Sequence, residues 1–152
     1  MQLAVALRAI SPAEPLIAVL DTFGPRYQEA VAEAFAWRLG VVLPGHSERV
    51  ALLEAVEAAL RTADAPPDRL FFDWFGGHVP AAPGPELDGV RAAIAAAMPR
   101  KPRDHRYWSG EAPCTLLIDE VEAIWTAIYT ADDWAPFHAK IAAIRAMGEA
   151  LA

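Results

Sequence analysis

The apolar pattern between Ala112 and Leu151 constrains the fold most. Leu117, Val121, Ile124 and Ile128 recur in steps of four, three and four. Ile118, Trp125 and Tyr129 widen that stripe. Trp134, Phe137, Ile141, Ile144, Met147 and Leu151 then repeat in steps of three and four. This is the period of an α-helix and not of a strand, so each set falls on one helical face. The polar turn Thr130-Ala131-Asp132-Asp133 between them is short, which makes the helices antiparallel neighbours. The two stripes are expected to face each other and a shared core.

Upstream the same period recurs in shorter pieces. Leu3, Leu7 and Ile10 suggest a first helix. Ser11-Pro12-Ala13-Glu14 is a helix start, with Leu16, Leu20 and Phe23 as the buried stripe and Gly24-Pro25 as an interruption. A helix from Pro25 to Leu39 follows, with Tyr27, Val31, Phe35 and Leu39 inward and Gly40 placed to end it in the left-handed conformation. Ser47 is expected to cap a helix that buries Leu53, Val56 and Leu60, runs to Ala63 and is stopped by Asp64-Ala65-Pro66-Pro67. Asp68 to Gly77 reads as a short aromatic helix ended by two glycines. Leu87, Val90, Ile94 and Ala97 mark another helix, terminated by Pro99. Val41-Val42-Leu43 is too short to count as a strand, and no longer stretch alternates with period two. The expectation is one all-α domain over residues 1–152. It is an irregular assembly of about six to eight helices closed by a C-terminal antiparallel hairpin.

Charge and composition bear on partners. The formal charge is −7, with 20 acidic against 13 basic side chains, which disfavours nonspecific nucleic-acid binding. Cys114 is the single cysteine, so no internal disulfide forms and no disulfide framework holds the chain. No apolar run reaches the roughly 18 residues of a membrane span. With no secretory signal visible, a cytoplasmic location is expected.

Several clusters invite a chemical reading, and each has a plainer one. Asp119, Glu120 and Glu122 are carboxylates of the kind that serve metals or acid–base pairs, yet they also suit the first turn of a helix. Asp132 and Asp133 stand near His138, but one aspartate is more simply a helix cap. His46, His78, His105 and His138 share no ligand spacing. Arg100, Lys101, Arg103 and Arg106 before Tyr107-Trp108 resemble a small phosphate or nucleotide patch. The run lacks a glycine cradle, and a solvated loop with one docked aromatic is the plainer reading. Phe71, Phe72, Trp74 and Phe75 read as core, and Asp73 among them needs an Arg or His partner if buried. Cys114 has no motif that supplies a base. Asp73, Trp74, Arg103, Trp108, Trp134 and His138 are the residues that stand out as ligand or interface positions. No catalytic, cofactor-binding or metal-binding residue is assigned.

The order of these strings resembles the C-terminal portion of the selenoprotein-O family, called YdiU in bacteria. Leu3 to Ile10 is similar to the end of its Trp-Asn-Leu segment. Leu20-Asp21-Thr22-Phe23-Gly24-Pro25-Arg26-Tyr27, with Phe35-Ala36-Trp37-Arg38-Leu39-Gly40, is similar to a helix ending in Lys-Leu-Gly. Leu70 to Gly77 resembles its aromatic region, and Leu117 to Trp125 its closing hairpin. The resemblance implies a parent family with a kinase-like fold that transfers AMP from ATP to protein hydroxyls with a divalent metal such as Mg. The family's nucleotide-gripping lysine, catalytic aspartate and metal-binding residues have no counterpart here. The family's near-terminal selenocysteine or cysteine is also absent. The start at Met1 fits a truncated or separately encoded tail.

Three functional expectations follow. The first is a non-catalytic helical scaffold or interaction segment that takes no cofactor itself. It would pack on a kinase-like core or a protein partner, with homo-oligomerisation covering any exposed apolar patch. The second is a free-standing ligand- or protein-binding module with a pocket near Trp74, Trp108 and His138. The third is a metal-dependent hydrolase using Asp119, Glu122 or Asp133 with His138.

Overall fold

A computed structural model describes residues 2–62 and 66–152. Seven α-helices lie among the described residues: α1 (Gln2–Leu7), α2 (Ala13–Arg38), α3 (His46–Thr62), α4 (Pro67–Asp73), α5 (Asp88–Ile94), α6 (Ile118–Ala131) and α7 (Ala135–Leu151). Three short 3-10 turns cover Phe75–Gly77, Pro85–Leu87 and Arg106–Ser109. The all-helical expectation holds, with one addition. Strand β1 (Val41–Val42) pairs antiparallel with β2 (Met98–Pro99), Val41 opposite Pro99 and Val42 opposite Met98. The hydrophobic period could not reveal a ladder this short, because two residues cannot alternate.

The main core is built by α3 lying between the second half of α2 and α5. Leu52, Val56 and Ala59 of α3 meet Ala36 and Leu39 from α2, and Val90 and Ile94 from α5. Val56 is buried as expected, while Leu52 and Ala59 take the places expected of their neighbours Leu53 and Leu60. Leu53 and Leu60 sit half-buried at the edge of that row. The helix begins at His46, so Ser47 is in its first turn, where its hydroxyl donates to Glu48 Oε2 at 3.0 Å rather than capping. The expected end at Ala63 and the Asp64-Ala65 stop fall outside the described residues.

Two expectations about α2 are corrected. The helix runs unbroken through Gly24-Pro25. Proline's fixed φ is helical; it removes the N–H that would bond the Asp21 carbonyl, and its ring crowds that carbonyl. Here that turn is exposed, so water can take the freed carbonyl. The proposed inward stripe also fails over the first half of the helix. Leu20, Phe23 and Tyr27 are exposed, and Phe23 stacks on Tyr27 at 5.8 Å.

Gly40 behaves as expected. Its φ is 65°, and a Cβ there would stand 2.6 Å from the Phe75 ring. Leu39 O accepts from Gly76 N at 2.7 Å and Gly40 O from Arg100 N at 2.8 Å. The end of α2 thereby holds the aromatic 3-10 turn on one side and β2 on the other.

A second core cluster sits beneath that junction. Phe72, Phe75 and Trp108 pack with Ala150 at the end of α7. Phe75 and Trp108 stack at 4.0 Å between ring centroids, and Tyr107 meets Phe72 edge-on at 5.3 Å. This is where the C-terminal hairpin is tied to the rest of the molecule.

Candidate functional site

The aromatic segment and the basic loop assemble into one structural knot. Arg69 Nε donates to Asp73 Oδ2 at 2.7 Å, which supplies the cationic partner that Asp73 needs. Arg103 Nη1 donates to the Asp73 carbonyl at 3.0 Å. The Arg103 guanidinium lies over Phe72 at 5.6 Å and over Trp108 at 5.5 Å. Burial pushes its pKa down, partly opposed by the Asp73 charge. Trp74 is buried in the main core, while Trp108 is buried in the second. Of the six sequence candidates, Asp73, Arg103 and Trp108 meet in this knot, where the buried Trp108 Nε1 has no hydrogen-bond partner, and Trp74 packs in the neighbouring core.

Arg100 and Lys101 of the basic run are engaged in a similar way, while Arg106 is exposed. Arg100 Nη2 donates to Leu151 O at 2.9 Å and Lys101 Nζ to Glu149 O at 3.0 Å. These are free carbonyls at the end of α7, where positive charge is favoured. The expected docked aromatic is Trp108, and Pro102, Asp104 and Arg106 are exposed, but Arg100, Lys101 and Arg103 are turned to carbonyls of the fold instead of to water. The sequence signal that could have shown this is the absence of any basic residue in the last turn of α7, which leaves that end to be capped from elsewhere.

Trp134 and His138 lie apart from the knot. His138 is twelve positions before Ala150 on α7, about 18 Å along the axis. Trp134 is half-exposed and donates from Nε1 to Asp132 Oδ1 at 2.9 Å. Asp133 Oδ1 accepts from Ala135 N at 2.9 Å, but the cap position of α7 is held by Trp134, which makes no side-chain capping bond, so neither aspartate is the N-cap expected of one of them. A pocket joining Trp74, Trp108 and His138 is therefore not formed. Among the described residues no three His, Cys, Asp or Glu side chains come together to hold a metal ion.

One open groove of about 450 Å³ runs between α7 and the loop before α6. Arg106, Tyr107, Cys114 and Lys140 rim it, and Ala142, Ala143 and Ala146 form its floor. Cys114 N donates to the Tyr107 hydroxyl at 3.1 Å. Burial raises the pKa of that hydroxyl, which stays neutral. The Cys114 thiol faces only Thr115 O, at 3.9 Å, so no base is set to activate it.

The most distinctive surface is on α6. This helix buries no residue. Glu120 anchors its start, accepting from Leu117 N at 3.1 Å, from Thr115 Oγ1 at 2.9 Å and from Lys140 Nζ at 2.7 Å. Lys140, the Leu117 N–H and the Thr115 hydroxyl hold the Glu120 carboxyl below the usual carboxylate range. The side turned to α7 carries the half-buried Glu120, Ile124, Ala127 and Ile128. Beside it runs an uncovered apolar stripe: Ile118 is 67% exposed, Val121 41%, Trp125 64% and Tyr129 79%. The expectation that the widened stripe faces a shared core is overturned. The arc is too broad for one neighbour, and α7 covers only one side of it.

The first half of α2 and α1 form a second uncovered apolar region, with Leu3, Val5, Ile10, Ile17, Val19 and Phe23 exposed. The total accessible surface is 10073 Å². A compact monomer of 16.4 kDa exposes about 7,500 Å² on the usual size scaling. The surplus is therefore about 2,500 Å². Among the described residues no helix is long and apolar enough to cross a membrane. No protein-family model, curated protein or solved structure matches the chain.

Proposed function

We propose that this chain is a non-catalytic helical interaction module that binds protein through the apolar stripe of α6. One observation carries the reading: a helix with an ordered, capped start and a clamp to α7 leaves Ile118, Val121, Trp125 and Tyr129 in water. Exposed apolar patches of this breadth on a soluble chain mark protein contact sites. Asp73 and Arg103, which stood out as ligand or interface positions, and Asp133, one carboxylate of the hydrolase reading, are already engaged in hydrogen bonds within the fold.

The stripe is tested by replacing Val121 and Trp125 together with serine. At high dilution the double variant is expected to unfold at the wild-type denaturant concentration, since neither side chain is buried in the single chain. A loss of several kcal/mol, as large-to-small changes in a core produce, would show that the stripe belongs to the interior. The non-enzyme reading predicts no transfer of labelled adenylate from Mg·ATP to protein by the purified chain.

The relation to the tail of selenoprotein-O-like AMP-transferases stands as a proposal on the residue strings alone. A kinase-like reading frame directly upstream would support it, and an unrelated neighbour would weigh against it.

A further inference from the structure

We infer that the α6 stripe is covered by the α6 stripe of a second copy running antiparallel, so that two α6–α7 hairpins close into a four-helix bundle; this rests on the interaction reading above. Three observations select that occupant. The surplus surface of about 2,500 Å², shared between α6 and the α1–α2 arm, compares with about 800 Å² that a standard interface removes from each partner, so a share of about a third on α6 meets what a stable dimer needs.

Second, α6 carries two seams. Ile124 and Ile128 are half-buried on the side turned to α7 and make one, Ile118, Val121, Trp125 and Tyr129 make the other, and Leu117 just before the helix is exposed as well. A helix with two such seams is built for two helical neighbours, as in a bundle, and one place is open.

Third, the open stripe is graded. Small Ile118 and Val121 occupy its first half and large Trp125 and Tyr129 its second, over about 17 Å. Turned end for end, the same stripe sets Ile118 against Tyr129 and Val121 beside Trp125, matching small to large along its length. A parallel copy would set Trp125 on Trp125 and Tyr129 on Tyr129. The self-complementarity that a two-fold interface demands is thus written into one helix. The stripe itself carries no charge, while Asp119 and Glu122 flank it on each copy, so added salt should tighten the pairing by screening like charges.

The test is light scattering of the full chain across concentration, with Trp125→Lys beside it. The wild type is expected at double the 16.4 kDa of one chain, more so in high salt, and Trp125→Lys at the single mass with unchanged far-ultraviolet circular dichroism. Register is read by disulfide formation in a Cys114→Ser background. Chains carrying Ile118→Cys are expected to cross-link to chains carrying Tyr129→Cys and not to themselves. A wild type that stays at single mass at millimolar concentration overturns the proposal, as does Ile118→Cys linking to itself. If the single mass accompanies an unshifted unfolding midpoint for the double-serine variant, only the second copy is wrong and the interaction reading stands. If that midpoint falls, both are wrong.

Discussion

At Gly40 three segments meet: the end of α2, the aromatic turn carrying Phe75, and the β1–β2 ladder. Its positive φ and the Phe75 ring 2.6 Å from where a Cβ would stand give Gly40→Ala two separate costs. Denaturant unfolding is expected to show a loss of more than about 1 kcal/mol, and an unchanged midpoint would contradict that account. Trp74 and Leu52 are buried without polar company, and Leu52→Ala should cost about 2–5 kcal/mol and Trp74→Ala about 3–5 kcal/mol. Glu120 acts differently, through charge at a helix start. Its folded pKa is depressed, so its contribution is present above the unfolded pKa and is lost as pH falls through the folded value. Amides in the first turn of α6 should therefore exchange faster in acid, below the ordinary carboxylate range. Glu120→Gln should bring the same loosening to neutral pH. Equal protection of those amides in the variant would show that the clamp contributes nothing.

At the scale of elements, what was legible in the sequence was what depends on period and on special backbone positions. The α6–α7 hairpin, the Gly40 turn and the Val90–Ile94 face were all readable, since each rests on spacing or on a glycine, whereas α4 ends at Asp73 and the Gly76-Gly77 pair belongs to a separate 3-10 turn. What could not be read was which side of an apolar helix is covered. In α2 the same steps of three and four continue into a half that stands in water, and Pro25 passes within the helix because that turn is solvated. In α6 the breadth of the stripe was visible, but its division between α7 and open solvent depends on where α7 lies. The candidate residues divide for a similar reason. Asp73, Trp74, Arg103 and Trp108 stood out by type; Asp73 and Arg103 are hydrogen-bonded within the fold, and Trp74 and Trp108 are packed in its two cores. The uncovered stripe is made of ordinary apolar residues that type alone does not distinguish from core. Lys140 links the two helices, and Lys140→Ala is expected to raise exchange across the start of α6 while leaving α3 unchanged.

For the whole molecule, area organises the account. The chain presents more surface than a compact fold of its mass, concentrated on α6 and on the α1–α2 arm. A formal charge of −7 keeps such a surface dispersed without removing the apolar stripe's tendency to be covered. The interior of α2, α3 and α5 is closed within a single chain, so association should change its protection little. The stripe of α6 is not, and its state should depend on how many molecules are present. The most direct measurement is amide hydrogen exchange at two concentrations, one dilute and one near millimolar. The account predicts that α6 peptides gain protection as concentration rises while α3 peptides exchange at the same rate in both. Protection of α6 equal to that of α3 at every dilution would place the stripe inside the single chain and contradict the account.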